Sequence, residues 1–187
     1  MRLTNIPRAS LDRARRRVAR ELAEHGFWVD EIAEVEVSLG VVPRWSTYGY
    51  FDGAIVIPRI TATRVWEAAF GDGYVSLADV LRHEYAHAVA DRFRGLLRSR
   101  VFRAAFGASH DAVVAAEYDP RVHVTPYAAT SPSEDFAETF MAFHRHGGEV
   151  PARLAGALVR RKWRFVRALG EAVGIGRRWP TGRPGDG

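Results

Sequence analysis

The feature that most constrains this chain is the pattern His83-Glu84-Tyr85-Ala86-His87, which lies in an apolar, helix-favouring run. Residues four apart on an α-helix lie one turn apart on the same face, so His83 and His87 point the same way. Two neutral imidazoles at this spacing can bind one Zn²⁺ and leave two of its tetrahedral positions to fill. Glu84 lies at the edge of that face, where a general base can reach a metal-bound water without being a ligand.

The pattern also occurs by chance, and the alternative interpretation is a solvated or packed helix whose histidines are incidental. The neighbouring residues Tyr85, Ala86, Ala88, Val89 and Ala90 are uncharged, which predicts a buried helix. Two histidines and a glutamate on a buried helix need polar partners, because unpaired buried polar groups are costly. We therefore interpret the pattern as a zinc site.

Composition limits the ligands that such a site can use. The 187 residues include no cysteine, which excludes disulfides and thiolate metal sites and leaves histidine and carboxylate. Residues 1–20 are basic and lack the apolar core of a signal peptide, and no run approaches the length of a transmembrane helix. By default we expect a cytoplasmic protein with no membrane partner. Export by a route that needs no classical signal stays an open alternative.

The chain is basic, with a formal net charge of +5 and a pI of about 10.1. Its arginines are spread through every segment, with local clusters at 13–17 and 160–167, and Lys162 is the only lysine. Scattered arginine with almost no lysine is typical of a bias in coding composition, so nucleic acid is an unlikely partner. The sequence carries no signal for an oligomeric state.

Hydrophobic periodicity and turn residues predict a single α+β domain over residues 1–173. Residues 174–187 are rich in Gly, Pro and Arg, and we expect a disordered tail there. The predicted helices cover Ser10–His25, Thr61–Phe70, a segment from the Ser76 cap to Phe93 or Arg94, Ser99–Phe106, Ser131–His144 and Pro151–Val173. The predicted strands cover Glu34–Val41 and Tyr50–Ile57, and residues 110–130 are predicted to be mostly irregular.

The strand predicted at Tyr50–Ile57 has two alternative roles. Its Asp52-Gly53 pair indicates a turn or bulge near the start. As an edge strand it can hold an extended peptide through main-chain hydrogen bonds. As a central strand it has no free edge, and both alternatives stay open.

A zinc held by two histidines needs a third protein ligand. One familiar pattern places another histidine six residues after the second, following a glycine, but Phe93 and Ala90 occupy these positions. The alternative is a glutamate from a downstream helix, where Glu134 and Glu138 are one turn apart. Beside a dication and an imidazole, one carboxylate can bind the metal while the other accepts the N–H of a ligating histidine.

The start of this downstream helix offers a competing role for its first glutamate. Ser131 is suited to the N-cap and Pro132 to the first helical position. In a capping box, the Glu134 carboxylate would turn back to the Ser131 backbone. One carboxylate cannot serve both the cap and a metal fully, so the two interpretations conflict.

These residues resemble the glutamate-zincin catalytic domain of anthrax lethal factor and related Pro-Pro endopeptidases. The similarity extends over about residues 50–146, with identity only at His83-Glu84-x-x-His87, Tyr127 and Glu134-Asp-Phe-Ala-Glu138. It implies a compact zincin-like domain, in which a small mixed sheet packs on the active-site helix and further helices follow. The family's substrate-binding extras lie outside the similarity, so specificity is not implied.

The resemblance also implies a role for each matching residue. It implies His83, His87 and Glu134 as the ligands of one catalytic Zn²⁺, with Glu84 as the general base. Tyr127 would assist at the transition state, and Glu138 would support a ligating histidine. Asp91, one turn after His87, is either a further support or a surface residue. Structural or incidental roles are expected for the remaining histidines, which are His25, His110, His123, His144 and His146.

Three functional hypotheses follow. The first is a zinc endopeptidase that cleaves peptides or proteins by means of a metal-activated water. The second is a catalytically silent zincin fold that serves as a binding protein. The third, and weakest, is an arginine-rich nucleic-acid binder.

Overall fold

The computed structural model describes residues 4–40, 49–61 and 76–176. Within these ranges the chain forms seven α-helices and five short strands, which confirms the predicted α+β class. The helices are α1 (Arg8–Glu24), α2 (Asp30–Ala33), α3 (Leu77–Arg92), α4 (Arg94–Leu97), α5 (Arg100–Phe106), α6 (Pro132–Arg145) and α7 (Ala157–Gly174). The strands are β1 (Thr4–Asn5), β2 (Glu36–Gly40), β3 (Gly49–Phe51), β4 (Ala54–Pro58) and β5 (Ile60–Thr61). None of the described helices is long and apolar enough to cross a membrane.

The larger sheet is mixed, with the strand order β2-β4-β3, while β1 and β5 form a separate antiparallel pair. β2 runs parallel to β4, and β3 runs antiparallel to it. The turn predicted at Asp52-Gly53 is confirmed, but it divides the segment 50–57 into two strands, so the prediction of one strand there is wrong. The φ angles of Asp52 and Gly53, 51° and 82°, are left-handed values that suit a tight hairpin. β4 is therefore central, and β3 is an edge strand of the described sheet.

The predicted helices that lie within the described residues are confirmed with shifts at their ends, as is usual for helix boundaries. α1 begins at Arg8 after Pro7 rather than at Ser10. The prediction for 151–173 is wrong at its start, where a 3₁₀ turn at Ala152–Leu154 precedes α7. Gly156 separates the two elements, and an added Cβ there would lie 2.9 Å from the carbonyl oxygen of Arg121.

Parts of three predictions lie outside the described residues. They are most of the helix predicted at 61–70, the last residue of the strand predicted at 34–41, and all of the predicted tail after residue 176. Residue 61 itself belongs to β5 rather than to a helix. Residues 107–126 carry no regular element, in agreement with the irregular connection predicted there, and a 3₁₀ turn at Tyr127–Thr130 follows.

α3 is the central element of the fold. Its residues 78–86 and 88–90 are buried, which confirms the predicted buried helix. It packs most extensively along α6 and also contacts α1 and β3. The buried apolar side chains form one continuous cluster around these helices. The helix that bears both histidines is thus fixed from several sides.

Two buried ion pairs join α3 to its neighbouring helices. The Arg82 guanidinium donates to both carboxylate oxygens of Glu21 on α1, each at 2.8 Å. Asp79, in the first turn of α3, accepts a hydrogen bond from Arg145 at the end of α6 at 2.8 Å. Both Arg82 and Asp79 are almost fully buried. Arg82 also donates to Asp79 at 2.5 Å, so the two pairs form one charge network that joins α3 to α1 and α6.

Candidate metal centre

The two histidines of α3 present their Nε2 atoms to each other. His83 Nε2 lies 3.1 Å from His87 Nε2, and the ring planes are inclined by 72°. His83 is buried, whereas about one fifth of the His87 side chain is exposed. The one-turn spacing and the buried setting of α3 together produce this arrangement.

The N-terminus of α6 brings Glu134 to the same point. Oε2 of Glu134 lies 3.2 Å from His83 Nε2 and 3.5 Å from His87 Nε2. Ser131 caps the helix by accepting a hydrogen bond from the backbone N–H of Glu134 at 3.2 Å. The Glu134 carboxylate is directed at the imidazoles, so Ser131 acts as the N-cap while this carboxylate is available to a metal.

A buried charge pair fixes this end of α6. Lys162 of α7, the only lysine, donates to Asp135 Oδ2 and to the carbonyl oxygen of Val122, each at 2.6 Å. Both charged side chains are at least 95% buried. Because Asp135 directly follows Glu134, this contact ties the Glu134 backbone to α7 and to the connection that precedes the 3₁₀ turn.

The three atoms have the spacing that a tetrahedral zinc ion requires. Ligand atoms about 2.0–2.1 Å from a tetrahedral centre lie about 3.3–3.4 Å from one another. The observed separations are 3.1, 3.2 and 3.5 Å. Among the described residues, this His-His-Glu group is the one with metal-ligand geometry. Oε2 of Glu134 is buried and lies within 3.5 Å of both imidazole nitrogens, so an ion between them could bind all three atoms.

The charges of the triad favour a cation at its centre. Burial lowers the pKa of His83, but the carboxylates of Glu134 and Glu138 outweigh it and raise the pKa to about 10. Burial raises the pKa of Glu134, but the two imidazoles outweigh it and hold the pKa well below its usual range. The metal-free triad therefore binds a proton at neutral pH, at the point where a metal would bind.

Zinc binding is therefore expected to release about one proton from His83 at pH 7.5. The proton competes with the metal for Nε2 until the pH reaches the His83 pKa of about 10. Apparent zinc affinity should rise by up to about tenfold per pH unit from 7 to 9. Titration calorimetry in two buffers of different ionisation enthalpy measures the released proton. An affinity that is independent of pH, with no proton released, would contradict this electrostatic assignment.

The same shift sets the pH dependence of the metal-free fold. The folded pKa of His83 lies above its ordinary value of 6.5. Its contribution to stability is therefore complete below about pH 6.5 and is lost as the pH rises through about 10.

Glu138 supports His83 from the side opposite to Nε2. Its Oε1 lies 2.8 Å from His83 Nδ1, and its Oε2 accepts a hydrogen bond from Thr125 Oγ1 at 2.6 Å. The Glu138 side chain is fully buried. An Nδ1–H that donates to this carboxylate fixes the tautomer in which Nε2 carries the metal-binding lone pair.

Glu138→Gln is expected to weaken zinc binding by about 10–100-fold, because the amide keeps the shape but removes the charge that orients and polarises His83. Competition with a zinc chelator of known affinity measures the change. Glu171→Gln, at an exposed position on α7, is the matched control and should bind zinc like the wild type. Wild-type affinity in Glu138→Gln would remove this support role.

Glu84 borders the same cleft and is held by the main chain of β3. Its Oε2 accepts a hydrogen bond from the backbone N–H of Tyr50 at 2.7 Å. Gly49, which precedes Tyr50, has a φ of 111° and approaches the same carboxylate closely. The sequence predicted a strand here but gave no signal that it contacts Glu84.

Tyr127 lies at the wall of the cleft on the 3₁₀ turn before α6. Its ring centre is 5.9 Å from that of His83. Burial raises the pKa of its hydroxyl above the ordinary value, and the carboxylates of Glu134, Glu84 and Glu138 raise it further. The phenol therefore stays protonated at neutral pH and can act as a hydrogen-bond donor.

The cleft has a volume of about 650 Å³ and a charged rim that the motifs did not indicate. Asp91 accepts a hydrogen bond from the Tyr50 hydroxyl at 2.7 Å and pairs with Arg94, so it anchors β3. Arg98 pairs with Asp111 at 2.6 Å on the other part of the rim. The Tyr50–Asp91 and Arg98–Asp111 contacts join residues 41 and 13 positions apart, which is why local spacing does not reveal them.

His110 also borders the cleft, although only a structural or incidental role was expected for it. Its Nε2 is buried without a hydrogen bond to the described residues, and burial lowers its pKa. The ring packs edge-on against Phe102 and Phe136, which favours a packing role. His144 is likewise buried among aromatic rings, those of Phe27 and Phe140.

No protein-family model, curated protein or solved structure gives a significant match to this chain. The resemblance to the glutamate zincins stays a prediction based on the residues named for it. The structure brings the ligand candidates, the proton-acceptor candidate and Tyr127 to one cleft. Glu138 lies directly behind His83.

Proposed function

We propose that this protein is a zinc-dependent endopeptidase that hydrolyses peptide bonds of peptide or protein substrates. The observation that carries the proposal is the triangle of two Nε2 atoms and one carboxylate oxygen, with separations of 3.1–3.5 Å, beside Glu84 in an open cleft. Three protein ligands and one open position are typical of catalytic rather than structural zinc. Membership in the glutamate zincins is part of this proposal.

His83, His87 and Glu134 would hold the ion through Nε2, Nε2 and Oε2. A bound Zn²⁺ would supply Lewis acidity, which makes water more acidic and polarises a carbonyl group. Glu138 keeps His83 in the tautomer that leaves Nε2 available.

Glu84 is the proposed proton acceptor. Its carboxylate takes a proton from the attacking water and passes it to the leaving amine as the peptide bond breaks. Oε2 is held by the Tyr50 N–H, and Oε1 makes no hydrogen bond with the described residues. One oxygen can therefore fix the orientation of the group while the other carries the proton.

Tyr127 is the proposed donor to the substrate carbonyl oxygen as negative charge develops on it. Because its pKa is raised, the Tyr127 hydroxyl stays protonated at the neutral pH at which a peptidase would work. A preorganised donor of this kind contributes about 3–4 kcal/mol in comparable sites.

Metal analysis and a peptide-library digest together test the proposal. Purified protein should contain about one zinc per chain and cleave members of the library, with cleavage products identified by mass spectrometry. Zinc without cleavage of any peptide would indicate the silent zincin fold instead. Absence of zinc together with retention on DNA or RNA that falls steeply with salt would indicate the nucleic-acid binder.

A further inference from the structure

The start of β3 approaches the Glu84 carboxylate so closely that a Cβ at Gly49 would displace it. A Cβ added at Gly49 would lie 2.8 Å from Glu84 Oε2, and 3.1 Å from both Cδ and Oε1. Gly49 is buried and has a φ of 111°, a left-handed value that residues with a Cβ rarely adopt. The backbone conformation therefore favours glycine at this position, and any larger residue would also push the Glu84 carboxylate away.

The register of the hairpin explains why Tyr50 can bind Glu84. The turn at Asp52-Gly53 makes Phe51 and Ala54 the first pair of the hairpin, which exchanges hydrogen bonds across the ladder. The next pair, Tyr50 and Ile55, is then a non-hydrogen-bonded pair, so the N–H of Tyr50 points away from β4. This N–H donates to Glu84 Oε2 at 2.7 Å.

The side chain of Tyr50 makes a second contact with α3. Its hydroxyl donates to Asp91 Oδ2 at 2.7 Å. Asp91 lies seven residues after Glu84, and thus two turns further along the same face of α3. The edge strand is consequently bound to the helix at two points, and the peptide group between Gly49 and Tyr50 cannot shift away from Glu84 without breaking one of them.

We propose that the Gly49–Tyr50 peptide is the positioning element of the proton acceptor. Its N–H holds one carboxylate oxygen of Glu84 at a fixed point, and the missing side chain of Gly49 gives the carboxylate its space. Gly49 and Tyr50 are positioning residues in this scheme, because they act through Glu84. The inference rests on the proposed peptidase function.

Gly49→Ala against Gly53→Ala is the decisive comparison. Both glycines have positive φ and lie in the same hairpin, so both variants carry backbone strain. Among the described residues, a Cβ at Gly53 meets the flexible end of Arg92, at 3.6 Å, and is far less disruptive. We expect Gly49→Ala to lower kcat by about 10²-fold, the effect of misplacing a catalytic group by about 1 Å. KM and zinc affinity should stay within about threefold of wild type in both variants, as should kcat in Gly53→Ala.

Two further measurements separate positioning from a general loss of structure. In the Glu84→Gln background, Gly49→Ala should cause no further loss of kcat, because both changes act on one group. In the metal-free wild type, the Tyr50 amide should be protected from hydrogen exchange, and Glu84→Ala should remove that protection. The amide measurement needs neither metal nor turnover, so it applies even if Gly49→Ala fails to fold.

Two results would overturn the positioning role. The first is a Gly49→Ala variant that folds and keeps the kcat of the wild type. The second is a Tyr50 amide whose protection from hydrogen exchange is unchanged by Glu84→Ala. If the wild type binds zinc but cleaves no peptide, the proposed function is overturned instead. The catalytic role of the contact between Tyr50 N–H and Glu84 is then overturned as well. The amide result then shows separately whether the contact exists.

Discussion

Glu84→Gln is expected to lower kcat for peptide hydrolysis by about 10²–10⁴-fold while zinc binding is retained. Glutamine has nearly the shape of glutamate, and its carbonyl oxygen can still accept the N–H of Tyr50. It cannot accept a proton from water at neutral pH, so the binding geometry survives and the proton transfer does not. Zinc content and steady-state kinetics on one cleaved library peptide measure the two properties in the same preparation.

The control for this variant is Glu171→Gln, the same chemical change at an exposed site on α7, which should keep wild-type kcat. Loss of zinc in Glu84→Gln would mean that the carboxylate has a structural role in the metal site. Full activity in Glu84→Gln would exclude Glu84 as the proton acceptor.

Glu134→Gln and His83→Ala are each expected to remove stoichiometric zinc. Glu134→Gln replaces the charged ligand by a neutral amide, a weak ligand, and leaves the capping contact of Ser131 unchanged. His83→Ala has a second cost, since the buried Glu138 carboxylate loses its contact with Nδ1 of His83. We therefore expect His83→Ala to unfold at lower temperature than Glu134→Gln.

Thermal unfolding with and without added zinc measures these effects. Zinc at about 100 times its Kd should stabilise the wild type by about 2.7 kcal/mol, whereas neither ligand variant should respond. His110→Ala is the matched control, because it removes another histidine of the same cleft. It should keep both the zinc and the zinc-dependent stabilisation. Zinc loss in His110→Ala, with retention in Glu134→Gln, would assign the third ligand to His110.

The sequence predicts the parts of the site that depend on helical repetition. Four-residue spacing places His83 with His87 and Glu134 with Glu138, and the Ser131-Pro132 pair predicts where the second helix begins. Contact between the two helices was only implied by the resemblance. In the structure it depends on buried packing and on ion pairs such as Asp79–Arg145, whose partners are 66 residues apart.

The environment of Glu84 was not predictable from local pattern. The Asp52-Gly53 pair predicted a turn or bulge near the start of the strand at 50–57, but such a pair is compatible both with one bulged strand and with a hairpin, and the prediction of one strand was wrong. Only the hairpin turns the N–H of Tyr50 toward Glu84, and it explains why a glycine at position 49 leaves space for the Glu84 carboxylate. The Thr125–Glu138 contact likewise depends on the path of an irregular segment, for which periodicity gives no information.

The most direct test of the central claim is anomalous diffraction at the zinc absorption edge from crystals of the zinc-loaded protein. The account predicts one strong peak about 2.0–2.1 Å from Nε2 of His83, Nε2 of His87 and Oε2 of Glu134. A zinc ion held by other residues, or loaded protein with no peak between these three side chains, would contradict it.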